Sequence, residues 1–279
     1  MRVSGPALAL LCALGIAGCE TVSEKIDPLE PDAVSAAGAR LDLLNAPDHG
    51  AAALRAFEAA VAREPDSIAR RRDLARAYLR AGRLRRASET YAALEAAGAD
   101  EPSDRLEAAL ISVRLDEWAA ARATAARGPL PEGNARAALL RALLADRAGD
   151  WTGADAAYAE AVALAPDPAA MLNNWGVSRM ARGALGEAAA SFTEAVRADP
   201  EMFAAKNNLV LANALRGDYA LPAIPMTERE RAVLLNNAGV IAQRRGERET
   251  ARRLFSKAVD THPAFFGDAM RNLSGLKGR

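Results

Sequence analysis

Small and bulky apolar positions recur along the chain in one fixed order. A small residue is followed four residues later by an aromatic residue, then three further on by a second small residue, and five further on by a proline. The complete pattern reads Ala53, Phe57, Ala60, Pro65; Ala154, Tyr158, Ala161, Pro166; Ala188, Phe192, Ala195, Pro200; and Ala251, Phe255, Ala258, Pro263. Partial copies lie at Ala87 with Tyr91 and around Ala121, and adjacent copies are 33 or 34 residues apart, with one last step of 29. This spacing predicts a repeated structural unit.

Each unit decodes as two antiparallel helices joined by a tight turn. A glycine lies ahead of most copies, at Gly82, Gly149, Gly183, Gly217 and Gly246. Glycine readily takes the left-handed backbone conformation that ends a helix, so it marks the end of the first helix of a unit. The alanine and the aromatic residue belong to the second helix, where a small and a large side chain let the two helices pack closely.

One unit carries a family signature nearly complete. Its residues are Leu172, Trp175, Gly176, Gly183, Ala188, Phe192, Ala195 and Pro200, and this set resembles the consensus of the tetratricopeptide repeat (TPR). The resemblance implies an all-α fold, a TPR superhelical solenoid of antiparallel helix pairs. About seven such units would occupy residues 34–263, and residues 264–279 would form a C-terminal capping helix. Because each unit buries its apolar face only against its neighbours, the array should fold by stacking.

The repeat pattern breaks after Gly217. Pro222 and Pro225 exclude a regular helix, so the unit near residues 200–226 should lack its second helix. Two interpretations stay open: residues 219–226 are an extended bridge in a degenerate repeat, or they are a hinge or an intermolecular contact. Thr227 and Glu230 predict a capping box at the start of the next helix.

Two Asp-Pro pairs are typical of helix starts. In Asp167-Pro168 and in Asp199-Pro200, the aspartate would be the N-cap and the proline the first helical residue.

The N-terminus carries an export signal. An apolar run from Pro6 to Ala17 is too short to span a bilayer and is typical of a secretory signal peptide over residues 1–18. The residues before Cys19 resemble the bacterial lipobox, which implies that Cys19 is lipidated and becomes the mature N-terminus. The alternative is an ordinary signal cut beside an incidental Cys19. Glu20, which is not aspartate, favours the outer membrane by resemblance to enterobacterial sorting.

Charge balance argues against nucleic acid as a partner. Removing residues 1–18 takes away Arg2 alone, which leaves 35 basic against 36 acidic side chains. A balanced chain has no electrostatic reason to bind nucleic acid. Residues 19–33 are acidic and contain two prolines, which predicts a solvated tether on the periplasmic side of the membrane.

The sequence offers no recognisable chemistry. His49 and His262 fall in predicted turns without a cysteine or second histidine at ligand spacing, so both are expected at the surface. No phosphate loop, nucleophile motif or metal motif is present. We therefore expect no enzyme, no cofactor, no metal and no small-molecule substrate.

Two sets of polar residues on the first helices are candidates for partner binding. By resemblance to TPR proteins, first helices line a groove. The asparagines form pairs at Asn173 and Asn174, Asn207 and Asn208, and Asn236 and Asn237. An amide can bond a peptide backbone without reading its side chains, with Asn174, Asn208 and Asn237 preferred. Arg72, Arg76 and Arg80 lie on one helix face and suit carboxylates. The alternatives are amides that satisfy neighbouring helices or water, and a solvated charged face.

The segment from Tyr219 to Leu235, together with Thr261-His262-Pro263, resembles the TadD family of TPR lipoproteins. That resemblance implies a scaffold in Tad/Flp pilus assembly, with a secretin or pilus component as partner. An alternative in the same envelope is an adaptor for outer-membrane barrel assembly or for peptidoglycan enzymes. A cytosolic chaperone adaptor is disfavoured by the signal peptide and by the distance between the arginines and the asparagines.

Overall fold

The structure, a computed structural model, describes residues 49–262 and 267–277. The predicted signal peptide, Cys19, the tether and Pro263 lie outside the described residues. Within those two ranges the chain forms thirteen helices and no strand. They are α1 (His49–Arg63), α2 (Ile68–Arg80), α3 (Leu84–Ala96), α4 (Pro102–Arg114), α5 (Trp118–Ala126), α6 (Ala135–Ala148), α7 (Trp151–Leu164), α8 (Ala169–Ala181), α9 (Leu185–Ala198), α10 (Phe203–Leu215), α11 (Glu228–Arg244), α12 (Arg248–Thr261) and α13 (Gly267–Lys277).

The helices form hairpins in two compact units. The N-terminal unit, Gly38–Pro166, holds α1 to α7, and the C-terminal unit, Asp167–Arg279, holds α8 to α13. The hairpins pair α2 with α3, α4 with α5, α6 with α7, α8 with α9, and α11 with α12. We call α2, α4, α6, α8, α10 and α11 first helices, and α1, α3, α5, α7, α9 and α12 second helices. The predicted all-α fold of antiparallel helix pairs is confirmed.

The predicted turn residues take the left-handed conformation. All five turn glycines have positive φ, from 68° at Gly82 to 89° at Gly217. The degenerate copy around Ala121 makes the same turn without glycine: Asp116, 34 residues after Gly82, has φ 62°. Aspartate is one of the few residues that tolerate this region. The hairpin geometry therefore persists where the sequence signature has faded.

The ring of each complete hairpin in the C-terminal unit nests on a glycine of the facing helix. Phe192 and Phe255 are fully buried. A Cβ atom added to Gly176 would lie 2.5 Å from the Phe192 ring, and one added to Gly239 would lie 2.6 Å from the Phe255 ring. Both distances are far inside van der Waals contact, so only glycine lets these rings approach the helix backbone.

The unit between α10 and α11 replaces a second helix with an extended segment. No helix forms over residues 216–227, and Tyr219, Leu221 and Met226 pack against the interior of the C-terminal unit. Val210 stands three residues after the first asparagine of its pair, where the other first helices carry Gly176 and Gly239, and is 2% exposed. Since no aromatic ring descends onto α10, a valine fills the space that glycine keeps open elsewhere.

Helix starts follow the sequence only in part. The capping box of Thr227 and Glu230 is confirmed: Glu230 N donates to Thr227 Oγ1 at 3.1 Å, and Thr227 N donates to Glu230 Oε2 at 2.7 Å. The Asp-Pro predictions are wrong, because Pro168 is itself the N-cap of α8 and Asp199 is the C-cap of α9. Both aspartates instead accept a backbone N–H two residues ahead in a local turn.

The C-terminal helix α13 packs on α12. Ala269 and Leu276 are buried in the interior of the unit, and Arg248 donates to the backbone oxygen of Leu276 at 2.6 Å.

Candidate functional site

The asparagine pairs lie on successive first helices of the C-terminal unit. Asn173 and Asn174 belong to α8, Asn207 and Asn208 to α10, and Asn236 and Asn237 to α11. All of them are at most 8% exposed except Asn236, which is half-buried. A buried amide that lacks a hydrogen-bond partner is costly, so the bonds of these side chains decide their role.

The amides bond to one another from helix to helix. Asn208 Nδ2 donates to Asn173 Oδ1 at 3.0 Å, and Asn237 Nδ2 donates to Asn207 Oδ1 at 2.8 Å. Asn272 of α13 continues the series by donating to Asn236 Oδ1 at 3.0 Å. In each step the first asparagine of one helix accepts from the next helix in line. We call this series the asparagine ladder.

Asn272 was missed by the sequence analysis. It precedes Leu273 just as Asn208 precedes Leu209, which is the signal that could have identified it. Its role in the ladder shows that α13 stands where a further first helix would stand.

The asparagine ladder holds the first helices together, and partner binding by these residues stays a prediction. Asn174 differs from the others, because its side chain forms no hydrogen bond with any residue that the structure describes. Asn207 Nδ2 is also buried without an acceptor among those residues. Of the six predicted amides, the one on Asn174 is therefore the least committed to the fold.

Asn208→Ala should lower the free energy of unfolding by about 1–2 kcal/mol, because Asn173 Oδ1 is left buried without its donor. Asn174→Ala is the matched control, since Asn174 and Asn208 are both 5% exposed but only Asn208 belongs to the ladder. Urea unfolding followed by circular dichroism measures both variants. Equal losses would contradict the bonding role of the ladder.

A buried cation anchors the start of α11. Lys206 of α10 is 1% exposed, and its Nζ lies 3.0 Å from Glu230 Oε1. Burial disfavours the charge on Glu230, but the Thr227 backbone N–H and then Lys206 outweigh it and hold the pKa of Glu230 below its ordinary value of 4.5. One carboxylate therefore caps α11 and neutralises the buried lysine.

The depressed pKa of Glu230 makes stability depend on acid. A carboxylate whose pKa is lower in the folded chain contributes stability above its unfolded pKa, and that stability is lost as pH falls through the folded pKa. Glu230→Gln keeps the capping box but removes the charge, so it should be less stable than the parent at pH 7. The difference should shrink as the pH is lowered from 5 to 3 in urea titrations. Unfolding curves that stay parallel at every pH would contradict the linkage.

The predicted arginine stripe on α2 divides into two roles. Arg72 Nε donates to Asp104 Oδ2 at 2.8 Å, and its Nη2 lies 3.0 Å from Glu101 Oε1 and donates to the Ala99 carbonyl. Asp104 is 2% exposed, so Arg72 is part of the joint between α2 and α4. Arg76 and Arg80 are exposed and form no hydrogen bond or ion pair with the described part of the chain.

A second unpaired guanidinium lies on α4. Arg114 is half-buried, and its Nε is buried without an acceptor in residues 49–262 or 267–277. Burial, followed by the nearby positive charge of Arg136, lowers the pKa of Arg114, while Glu107 opposes this effect. Arg136 itself is committed, because its two terminal nitrogens both bond Glu107. We call Arg76, Arg80 and Arg114 the arginine face.

The hydroxyl of Tyr91 lies among these charges. Burial, then Glu107 and Asp104, raise the pKa of Tyr91 to about 12, and Arg76 and Arg136 oppose them. The hydroxyl is buried and has no hydrogen-bond partner within the described ranges. Arg76 of α2 and Arg136 of α6 thus act on one point of the N-terminal unit.

The first and second helices of the N-terminal unit differ in charge. The first helices α2, α4 and α6 hold ten arginines and four acidic residues, a net charge of +6. The second helices α1, α3, α5 and α7 hold five arginines and five acidic residues, a net charge of zero. The balanced total charge of the chain hides this local excess of positive charge.

The search for metal and membrane features covers only the described ranges. Residues 49–262 and 267–277 contain no group of three or more His, Cys, Asp or Glu residues that could hold a metal ion. Over the same ranges, no helix has both the length and the apolar character needed to cross a bilayer. The backbone N–H of His262 caps α12, and the side chain of His49 is not described.

Comparison with known proteins identifies the repeat. Two tetratricopeptide-repeat family models match, one over residues 46–110 and the other over residues 139–201 and 173–221. They cover 65 and 83 residues, which together are 148 of the 279. No curated protein matches the chain.

Two solved structures of tetratricopeptide-repeat proteins are similar to the chain. One is from Parabacteroides merdae ATCC 43184, with a TM-score of 0.50, 17% identity, and coverage of 82% of this chain and 92% of that one. The other is YrrB, described as a TPR protein with an unusual peptide-binding site, with a TM-score of 0.41, 20% identity, and coverage of 80% and 99%. At these identities the first shows a likeness of fold alone.

Proposed function

Because the chain belongs to the tetratricopeptide-repeat family, we propose that it is a protein-interaction scaffold of the bacterial cell envelope. In this proposal a lipid on Cys19 holds it in the outer membrane with the repeats facing the periplasm. Its task is assembly of a Tad/Flp-type pilus, through contact with a secretin or another pilus component.

The observation that carries the scaffold proposal is the use of polar side chains. In the C-terminal unit the asparagine ladder joins first helices, whereas in the N-terminal unit the first helices leave Arg76, Arg80 and Arg114 without partners among the described residues. Buried polar groups that pair with each other make a rigid frame. Charged groups left over on such a frame suit the binding of another molecule.

The anchor and the location follow from the N-terminal residues. Ile16, Ala17 and Gly18 before Cys19 supply the small residues that a lipoprotein signal peptidase needs. Two or three acyl chains give stable anchoring where one would not, since each buried methylene contributes roughly 0.8 kcal/mol. Glu20 supports the outer membrane as the destination.

The pilus assignment follows from short sequence strings. Leu221-Pro222, Pro225-Met226-Thr227 and Glu230-Arg231-Ala232 support it by their resemblance to TadD-family lipoproteins. In the folded chain the first two strings lie in the extended segment between α10 and α11.

Crosslinking in intact cells tests the proposal. An affinity-tagged full chain is expressed in its own organism, treated with a membrane-permeant crosslinker and purified, and the captured proteins are identified by mass spectrometry. We expect pilus-assembly proteins, and Cys19→Ser should lose both radiolabelled palmitate and its place in the membrane fraction. Capture of barrel-assembly proteins or peptidoglycan enzymes would move the function to that alternative. A Cys19→Ser variant that stays acylated would refute the anchor.

A further inference from the structure

The arginine face lies along one end of two neighbouring first helices. The bond between Arg72 and Asp104 sets the register of α2 against α4. Because α3 is joined to each by a short turn and packs against both, α2 and α4 run in the same direction. Arg80 lies eight residues beyond Arg72, about 12 Å along α2, and Arg114 lies ten residues beyond Asp104, about 15 Å along α4. Arg80 and Arg114 therefore reach the same end of the pair.

The neighbouring arginines are already neutralised, which isolates the arginine face. Arg72 is bound by Asp104 and Glu101, and Arg136 by Glu107. Further acidic side chains of the first helices are Asp73 and Asp146, and Asp146 accepts the Tyr158 hydroxyl at 2.8 Å. The fold thus leaves a positive excess on this side of the N-terminal unit, which is greatest where α2 and α4 end.

We propose that the arginine face of Arg76, Arg80 and Arg114 binds an acidic protein segment, in which successive Asp or Glu carboxylates pair with these guanidinium groups. Guanidinium groups bind carboxylates through two parallel hydrogen bonds, which gives both strength and orientation. Arg76 and Arg80 are one helical turn apart, and Arg114 approaches them from α4, so the three suit carboxylates spread along a peptide. Arg114 would gain an acceptor for its buried Nε.

This inference rests on the proposed role as a protein-interaction scaffold and names the chemistry of the partner. Complementary charge also steers the encounter and makes binding sensitive to salt. Binding should therefore weaken steeply between 50 and 300 mM sodium chloride.

Fluorescence polarisation with a labelled peptide of ten glutamates tests the inference. The full chain is purified in a zwitterionic detergent, and a peptide of ten glutamines is the neutral probe. The parent should bind the glutamate peptide and not the glutamine peptide. The triple variant R76Q R80Q R114Q should lose affinity by about tenfold or more, as expected for three exposed ion pairs.

The matched control removes the same charge from the second helices. Arg55, Arg63 and Arg122 lie on α1 and α5 and are exposed, and R55Q R63Q R122Q should change the affinity by no more than about twofold. Equal loss in both triple variants would overturn the inference, because net charge would then suffice. So would a parent that ignores the glutamate peptide, or one that prefers phosphatidylglycerol vesicles. If crosslinking in cells still captures partner proteins in that case, the scaffold proposal stands and only the acidic segment is refuted.

Discussion

Phe192→Ala should lower the free energy of unfolding by about 3–5 kcal/mol, the cost of a large-to-small change in a closed core. Phe192 is fully buried, and its ring fills the space that Gly176 leaves on α8. No side chain on α8 can grow into the space that the ring vacates, so the cavity should persist. Because each hairpin depends on its neighbours, the loss should appear in the unfolding of the whole C-terminal unit.

Urea unfolding followed by far-UV circular dichroism measures this loss. Met270→Ala is the control, since Met270 is 55% exposed and its truncation should shift the midpoint very little. A Phe192→Ala midpoint equal to that of the parent would contradict the packing described for α8 and α9.

Gly176→Ala should destabilise the chain by about 1–3 kcal/mol, the usual penalty for overpacking. The sign is informative, because in an open helix the same change stabilises by roughly 0.5–1 kcal/mol. The new methyl group would meet the Phe192 ring at 2.5 Å, and the ring has no free space to move into. Helix propensity and packing therefore oppose each other at this position, and packing should win.

The next helix supplies the matched control. Gly186 lies in α9, is exposed, and has no atom within 4 Å of an added Cβ. Gly186→Ala should therefore stabilise the chain by roughly 0.5–1 kcal/mol. In the Phe192→Ala background, Gly176→Ala should lose its penalty, because the colliding ring is gone. A Gly176→Ala penalty that survives in that background would show that the glycine acts for another reason.

The fold could be predicted from the sequence because its determinants recur. A turn glycine, an alanine and a ring at fixed spacing identify a hairpin without knowledge of any distant contact. Gly82 and Gly217 adopt the predicted left-handed turn, and Phe192 occupies the predicted interior. Where the signature fades, as at Asp116, the hairpin forms because its neighbours on either side impose the same geometry.

The role of the asparagines and arginines could not be predicted in this way. Their partners lie about one repeat away: Asn208 bonds a residue 35 positions earlier, and Arg72 one 32 positions later. Periodicity places these residues on the first helices, but it does not say how closely consecutive first helices approach. That approach turns most of the asparagines into joints and leaves Arg76 and Arg80 at the surface.

Arg114 was missed for a related physical reason. At the end of α4 it looks like an ordinary favourable cation near a helix C-terminus. Only the packed helices show that its guanidinium is half-buried beside Arg136 and has no partner in the described residues.

Photo-crosslinking at single positions in living cells tests the central claim that the first-helix side of the N-terminal unit holds a protein partner. A photoreactive phenylalanine analogue is placed at Arg80 in one strain and at Arg122, on a second helix, in another. The account predicts a discrete protein adduct from position 80 and none from position 122. Adducts of equal yield at both positions, or at position 122 alone, would contradict it.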